Sequence, residues 1–168
     1  MIIIFKAIVT GTGATLVMDL WSLCQKKILR VPPLNYALVG RWVLWLSRGR
    51  FWHHTIVSAP RMRGEVSAGW AVHYLTGILF AFIPLVLAGR VWFQEPSLLT
   101  GLLAGLLTLA APFIILQPAF GFGIAASRTP RPWLARLLST FTHLAYGAGL
   151  YGATAMLALV LSLSDGPA

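Results

Sequence analysis

The sequence predicts an all-α membrane protein with four transmembrane helices and one short amphipathic interfacial helix in the first connection. Three observations carry that prediction. The chain of 168 residues is 58% hydrophobic and 10% charged, where soluble domains run near ~25% charged, and its mean hydropathy is +0.79. Four apolar stretches, 2–24, 68–88, 98–117 and 137–163, each reach the ~20 residues that a bilayer-spanning helix needs. The 13 lysines and arginines, set against 4 acidic residues for a net charge of +9, gather between those stretches. On a soluble protein that balance would point to nucleic acid. Here it points to anionic lipid headgroups instead, and no nucleic-acid partner is expected.

The first span is closed by Gln25-Lys26-Lys27, so its basic pair follows the apolar run and it reads as a retained anchor, not a cleavable signal. At 100° per residue, Thr12, Thr15, Asp19, Ser22 and Lys26 fall on one stripe. A carboxylate near a helix centre costs ~2.5–3.5 kcal/mol on the insertion scale, so Asp19 is expected to face a partner.

The connection 25–67 holds eight of the basic residues against Glu65 alone. Pro32-Pro33 stops the first helix, and a new element begins near Asn35. From Leu38 to Arg48 the pattern groups Arg41, Leu44 and Arg48 on one side, with Val39, Trp42, Trp45 and Leu46 opposite. The run is too short to span. It is expected to lie in the interface, with Arg41 and Arg48 toward water and anionic lipid and Trp42 and Trp45 toward lipid or the bundle. Packing against the ends of the bundle is the other reading of the same pattern.

Pro84 and Pro112 should bend the second and third spans. Gly101, Gly105 and Gly147 offer close helix contacts. The connection 119–136 adds Arg128, Arg131 and Arg136, whereas the turn 90–97 has only Arg90 and the N-terminal end only Lys6. That asymmetry puts 25–67 and 119–136 in the cytoplasm and both termini in the periplasm. A weak internal repeat also runs through the chain. Arg61-Met-Arg63 followed by His73-x-x-x-Gly77 echoes Arg128-Thr-Pro-Arg131 followed by His143-x-x-x-Gly147.

Motifs of soluble enzymes are missing. Gly147-x-Gly149-x-x-Gly152 matches a dinucleotide fingerprint by letter but opens no strand–turn–helix unit and has no acidic ribose partner. There is no nucleophile elbow, zinc-protease helix or phosphate loop. The lone Cys24 excludes an internal disulfide. His53-His54 has no ligand-spaced carboxylate or cysteine and reads as surface.

The informative constellation is intramembrane. Asp19 lies seven residues before Lys26, His73 eight after Glu65 and His143 seven after Arg136, which sets each ~10–12 Å in from the basic side. Gln117 lies near the same end of the third span. Asp19, His73, Gln117 and His143 are therefore expected to form one polar layer, with Asp19 paired to a histidine.

Three strings, Gly11-Thr-Gly-Ala-Thr-Leu-Val-Met-Asp19-Leu-Trp21, Pro32-Pro-Leu-Asn35-Tyr-Ala-Leu-Val-Gly40 and Ala125-Ala-Ser-Arg128-Thr-Pro-Arg131-Pro, resemble a family of small bacterial inner-membrane proteins catalogued only as a domain of unknown function. The resemblance covers nearly the whole chain. It implies a bacterial plasma membrane and carries over no activity, cofactor or catalytic residue.

Three function classes stay open on the residues. One is a structural or accessory membrane protein whose polar layer is a lock, with a membrane-protein partner or a second copy beside it. Another is a small transporter or proton pathway that titrates Asp19, His73 and His143. In the third, Asp19, His73 and His143 hold a transition metal, or His73 and His143 ligate a haem. A membrane-embedded enzyme is the least supported.

Overall fold

The structure, a computed structural model, describes residues 2–164. Every regular element among them is helical: α1 (Ile2–Leu29), α2 (Tyr36–Leu46), α3 (Glu65–Phe80), α4 (Ile83–Ala88), α5 (Leu98–Thr108), α6 (Gln117–Ala119) and α7 (Pro132–Ser164). They form four long runs, Ile2–Leu29, Glu65–Phe93, Leu98–Ala119 and Pro132–Ser164, each long and apolar enough to cross a membrane.

The two composite runs are broken where proline dictates. α3 stops before Pro84, which takes a place in the first turn of α4, where its missing N–H is no loss. Pro112 removes a donor from the third run, and Ala111–Leu116 widens there into a π-helical turn before α6.

Small residues bring the runs together. Gly101 and Gly105 of α5 lie against Gly147 of α7, Gly11 of α1 lies against Gly77 and Ile78 of α3, and Gly149 of α7 meets Ala14 of α1. Cβ atoms at these glycines would collide with the facing backbone, so the backbones touch directly. The core at the end away from the basic connections is correspondingly fine-grained: Ala7, Ala14, Ala81 and Ala104 are buried around Trp92 and Leu150. Among the helix pairs α1 packs on α7 and α3, and α5 on α7.

The helix in the first connection begins where the sequence places it. Asn35 caps it, its side chain accepting from the Ala37 N–H at 3.0 Å. Its setting differs from a helix lying flat. Gly40 meets the backbone of Glu65 and Gly69, and Gly69 in turn meets the Tyr36 carbonyl. α2 therefore runs antiparallel to α3, and Tyr36 sits level with residues four to eight into that helix, ~6–12 Å from its start. The chain leaving α1 must turn back to get there. Arg30 adopts φ +54° to make the turn, and Val31 to Leu34, largely exposed, run along one wall of a cavity between the helices.

The expected outward, lipid-facing role of Arg41 is overturned. The residue is 5% exposed. Nε and Nη2 donate to the two Glu65 oxygens at 2.8 and 2.9 Å, and Nη1 donates to the carbonyls of Ile56, Val57 and Ala59 at 3.1, 3.3 and 3.1 Å. Glu65 is the single carboxylate of this connection and opens the helix on which α2 lies. A planar fork matches it bidentately and still has donors for the loop carbonyls. The bonds to Glu65 raise the Arg41 pKa further above its ordinary value.

The tryptophans serve the connection as well. Trp42 Nε1 donates to the Phe51 carbonyl at 2.9 Å, and Trp45 Nε1 to that of Pro60 at 3.3 Å. Arg48 and Arg50 lie over the Trp45 ring. His53, expected at the surface, is buried, with its backbone N–H on the Ala119 carbonyl at 2.9 Å, while the Ile56 backbone N–H reaches the Phe120 carbonyl at 3.0 Å. These two bonds clamp the connection onto the end of the third run, and burial, followed by the Arg50 charge, pushes the His53 pKa down.

Candidate functional site

Asp19 is directed by the face of α1 that packs on α3. Gly11 and Thr15 precede it at helical spacing, and both press on Gly77. One side of its carboxylate meets α3, where Trp70, His73 and Tyr74 stand at i, i+3 and i+4. His73 Nε2 lies 3.0 Å from Oδ1, and the Tyr74 hydroxyl donates to Oδ2 at 3.1 Å. The re-entrant start of α2 supplies the third donor, the Tyr36 hydroxyl at 3.2 Å from Oδ1. An ionised carboxylate only accepts, so His73 carries the proton on Nε2. Tyr36 stacks on the His73 ring with centroids 4.1 Å apart, and Trp70 leans on Tyr36 at 4.6 Å. Side-chain exposures of 18% for Asp19 and 11% for His73 make this a semi-enclosed cluster with three of its roughly four lone-pair sites filled.

The remaining two residues of the expected layer lie elsewhere. His143 meets α5, its Nδ1 2.6 Å from the Thr108 hydroxyl. Thr108 spends its one proton on the Gly105 carbonyl at 2.5 Å, so it must accept from His143 Nδ1–H, and a neutral His143 keeps a bare lone pair on Nε2. Gln117 has its Oε1 buried without a partner among the described residues. Asp19 and His73 are thus together, whereas His143 and Gln117 are not bonded to them.

What His73, His143 and Gln117 do share is a cavity of about 490 Å³ between all four runs. It reaches from Thr108 and Tyr146 to Gln25 and Thr129, on the side of the basic connections, and Asp19 is outside its lining. The wall is mostly aliphatic and aromatic and holds no Asp, Glu, Lys or Arg.

The matched positions of the sequence repeat make matched contacts. In the first half Gly11 meets Gly77 and Asp19 pairs with His73; in the second Gly101 meets Gly147 and Thr108 pairs with His143. The cavity lies between these two hairpins.

Metal or haem ligation fits poorly. Among the described residues no group of three or more His, Cys, Asp or Glu could hold a metal ion. His73 gives to Asp19 the Nε2 that a haem iron would need.

Tyr36, Trp70, Tyr74 and Thr108 escape sequence reasoning. The i, i+3, i+4 spacing of Trp70, His73 and Tyr74 was the available signal for two of them. Nothing in a hydropathy pattern announces that Tyr36 returns to the depth of Asp19.

The sequence profile of a family described as "Protein of unknown function (DUF2938)" matches residues 8–157. No curated protein and no solved structure matches the chain significantly.

Proposed function

The chain belongs to that family of unknown function, and from its site we propose a multi-pass inner-membrane protein of structural or accessory type. In this reading the Asp19 cluster is a lock that holds the re-entrant segment and α2 to the bundle. The observation that carries it is the engagement of one carboxylate by three donors from two other elements. A carboxylate so enclosed fixes geometry, whereas a relay residue must exchange partners.

Membrane placement is supported by the outward faces of the four runs, where large apolar side chains such as Leu20, Leu79, Val86, Leu103 and Met156 are exposed. A surface of this kind fits lipid and not water. Eleven basic residues stand on the connections at one end and only Lys6 and Arg90 toward the other, which supports a cytoplasmic basic end and periplasmic termini. Arg41 alone of the eleven is paired with a carboxylate among the described residues, leaving the others for anionic headgroups.

Asp19→Asn tests the lock. It keeps the volume and removes the charge that strengthens three bonds, each worth ~1.5–3 kcal/mol when one partner is ionised. The purified variant should melt markedly lower, and proton flux into liposomes should stay at the protein-free level for both forms. Flux through the parent protein that Asp19→Asn abolishes would instead establish the relay.

A further inference from the structure

We propose that the cavity between the two hairpins binds one uncharged, lipid-soluble molecule, held by a hydroxyl-bearing head near Gln25, Gln117 and His143. The argument begins with charge. A cavity of about 490 Å³ without a charged lining residue has nothing to compensate a carboxylate, phosphate or ammonium, so a charged ligand would lose its hydration for no return. The nearby carboxylate of Asp19 is outside the lining and already taken by three donors.

Unmet hydrogen bonds come next. Gln25 Nε2 and Gln117 Oε1 are buried without a partner among the described residues, and both side chains line the cavity. An orphan of this kind costs ~1–3 kcal/mol. One is a donor and the other an acceptor, and the free Nε2 of His143 is a second acceptor. A hydroxyl both accepts and donates, so once either amide, now turned away from the open space, rotates toward the cavity, a hydroxyl answers it where a hydrocarbon cannot.

These groups stand toward the basic end. Gln25 touches Thr142 at 3.3 Å, next to His143, and Gln117 opens the last turn of the third run. Beyond them Met18, Val72, Phe80, Ile115 and Leu138 offer room for an apolar tail. Water is a poor occupant. The volume would hold on the order of sixteen molecules, and a wall this apolar cannot give each its 2–4 polar partners. The position between two repeated hairpins is also where repeat-built membrane proteins place their ligands. The cavity site is independent of the lock, since Asp19 takes no part in it.

Long-chain alcohols, monoacylglycerols and hydroquinones share this chemistry, and the test separates them. The full chain in nanodiscs of zwitterionic lipid is photolabelled with a diazirine-bearing long-chain alcohol, and with the matched carboxylate and alkylammonium probes. Adducts are mapped by mass spectrometry. The alcohol should label cavity residues, while the charged probes should label only outer faces. Unlabelled dodecanol, monolaurin and dodecylhydroquinone then compete, and whichever displaces the cavity adduct identifies the source. Gln117→Leu removes an amide with no hydrogen bond among the described residues, so its melting temperature should hold or rise while the adduct falls roughly five- to tenfold. Ile115→Trp should fill the space and abolish labelling. Cavity labelling by the carboxylate probe equal to that by the alcohol would overturn the proposal. So would displacement by none of the three competitors, or an unchanged adduct in Gln117→Leu.

Discussion

Arg41→Ala is the sharpest perturbation of the fold on the basic side. It removes a bidentate pair and three carbonyl bonds together. The Glu65 carboxylate would keep only the Met62 N–H, at 3.0 Å, the carbonyls of Val57 and Ala59 would lose the Arg41 donor, and that of Ile56 would keep only the Ala59 N–H at 3.3 Å. Side-chain exposures of 6% and 12% leave little room for solvent to compensate. Removing one partner of a buried pair costs ~3–5 kcal/mol, and at ~1.4 kcal/mol per decade that opens the connection roughly two to three and a half orders of magnitude more often. Limited trypsin digestion reads this opening directly, because Arg50, Arg61 and Arg63 flank the clamped segment. Arg41→Lys should fall between, since one ammonium cannot serve Glu65 and three carbonyls at once. Arg48→Ala is the control, its guanidinium lying exposed over Trp45, with an expected effect below ~0.5 kcal/mol. If Arg41→Ala were cut no faster than Arg48→Ala and only lost affinity for anionic vesicles, the inward clamp would be refuted and the residue would belong to the headgroups.

Gly69→Ala should act on α2 through space alone: its new Cβ collides with the Tyr36 carbonyl, so α2 shifts, with ~1–3 kcal/mol lost on overpacking, seen as a lower melting temperature and altered Trp70 fluorescence. His53 supplies a pH signature. Its folded pKa lies below the ordinary 6.5, so the stability it contributes is complete above that pH and is lost as pH falls toward the folded value. Protease protection of the connection should drop as the pH is lowered below 6.5, and His53→Phe should flatten the drop. Thr108→Asp should lower the yield of monodisperse protein far more than Asp19→Thr, because only position 19 has tyrosine donors around it.

The four long helices were legible because length and hydropathy decide them with no knowledge of tertiary contacts, and the start of α2 because Pro32-Pro33 and the cap of Asn35 act locally. Its placement was not. A helical period separates two faces of a short segment without saying what covers either, and Arg41 counts as water-facing in such a pattern although Glu65 waits 24 residues on. Depth reckoned from the basic ends set Asp19, His73, His143 and Gln117 at one level. It could not tell which neighbour each would meet. Asp19 lies against His73, while His143 is turned to Thr108 on α5. Tyr36 was invisible for a different reason, since a hydropathy window treats a connection as lying outside the span and cannot register a chain that re-enters it.

That re-entry explains why the two hairpins differ in the one position where charge matters. Both close through glycine contacts and a histidine bonded across to the preceding helix of the hairpin, but the first hairpin bonds its histidine to a carboxylate and the second to a hydroxyl. A threonine satisfies itself on its own helix, as Thr108 does on Gly105. A carboxylate cannot, and needs donors from outside. The first connection, 25–67, is long enough to turn back and deliver Tyr36 to Asp19; the second, 119–136, is less than half that length and holds no counterpart of α2. The Asp19 charge and the re-entrant segment thus depend on one another. The carboxylate pins the start of α2, and α2 supplies part of what makes a carboxylate tolerable there, with Arg41 securing the middle of the same helix on Glu65.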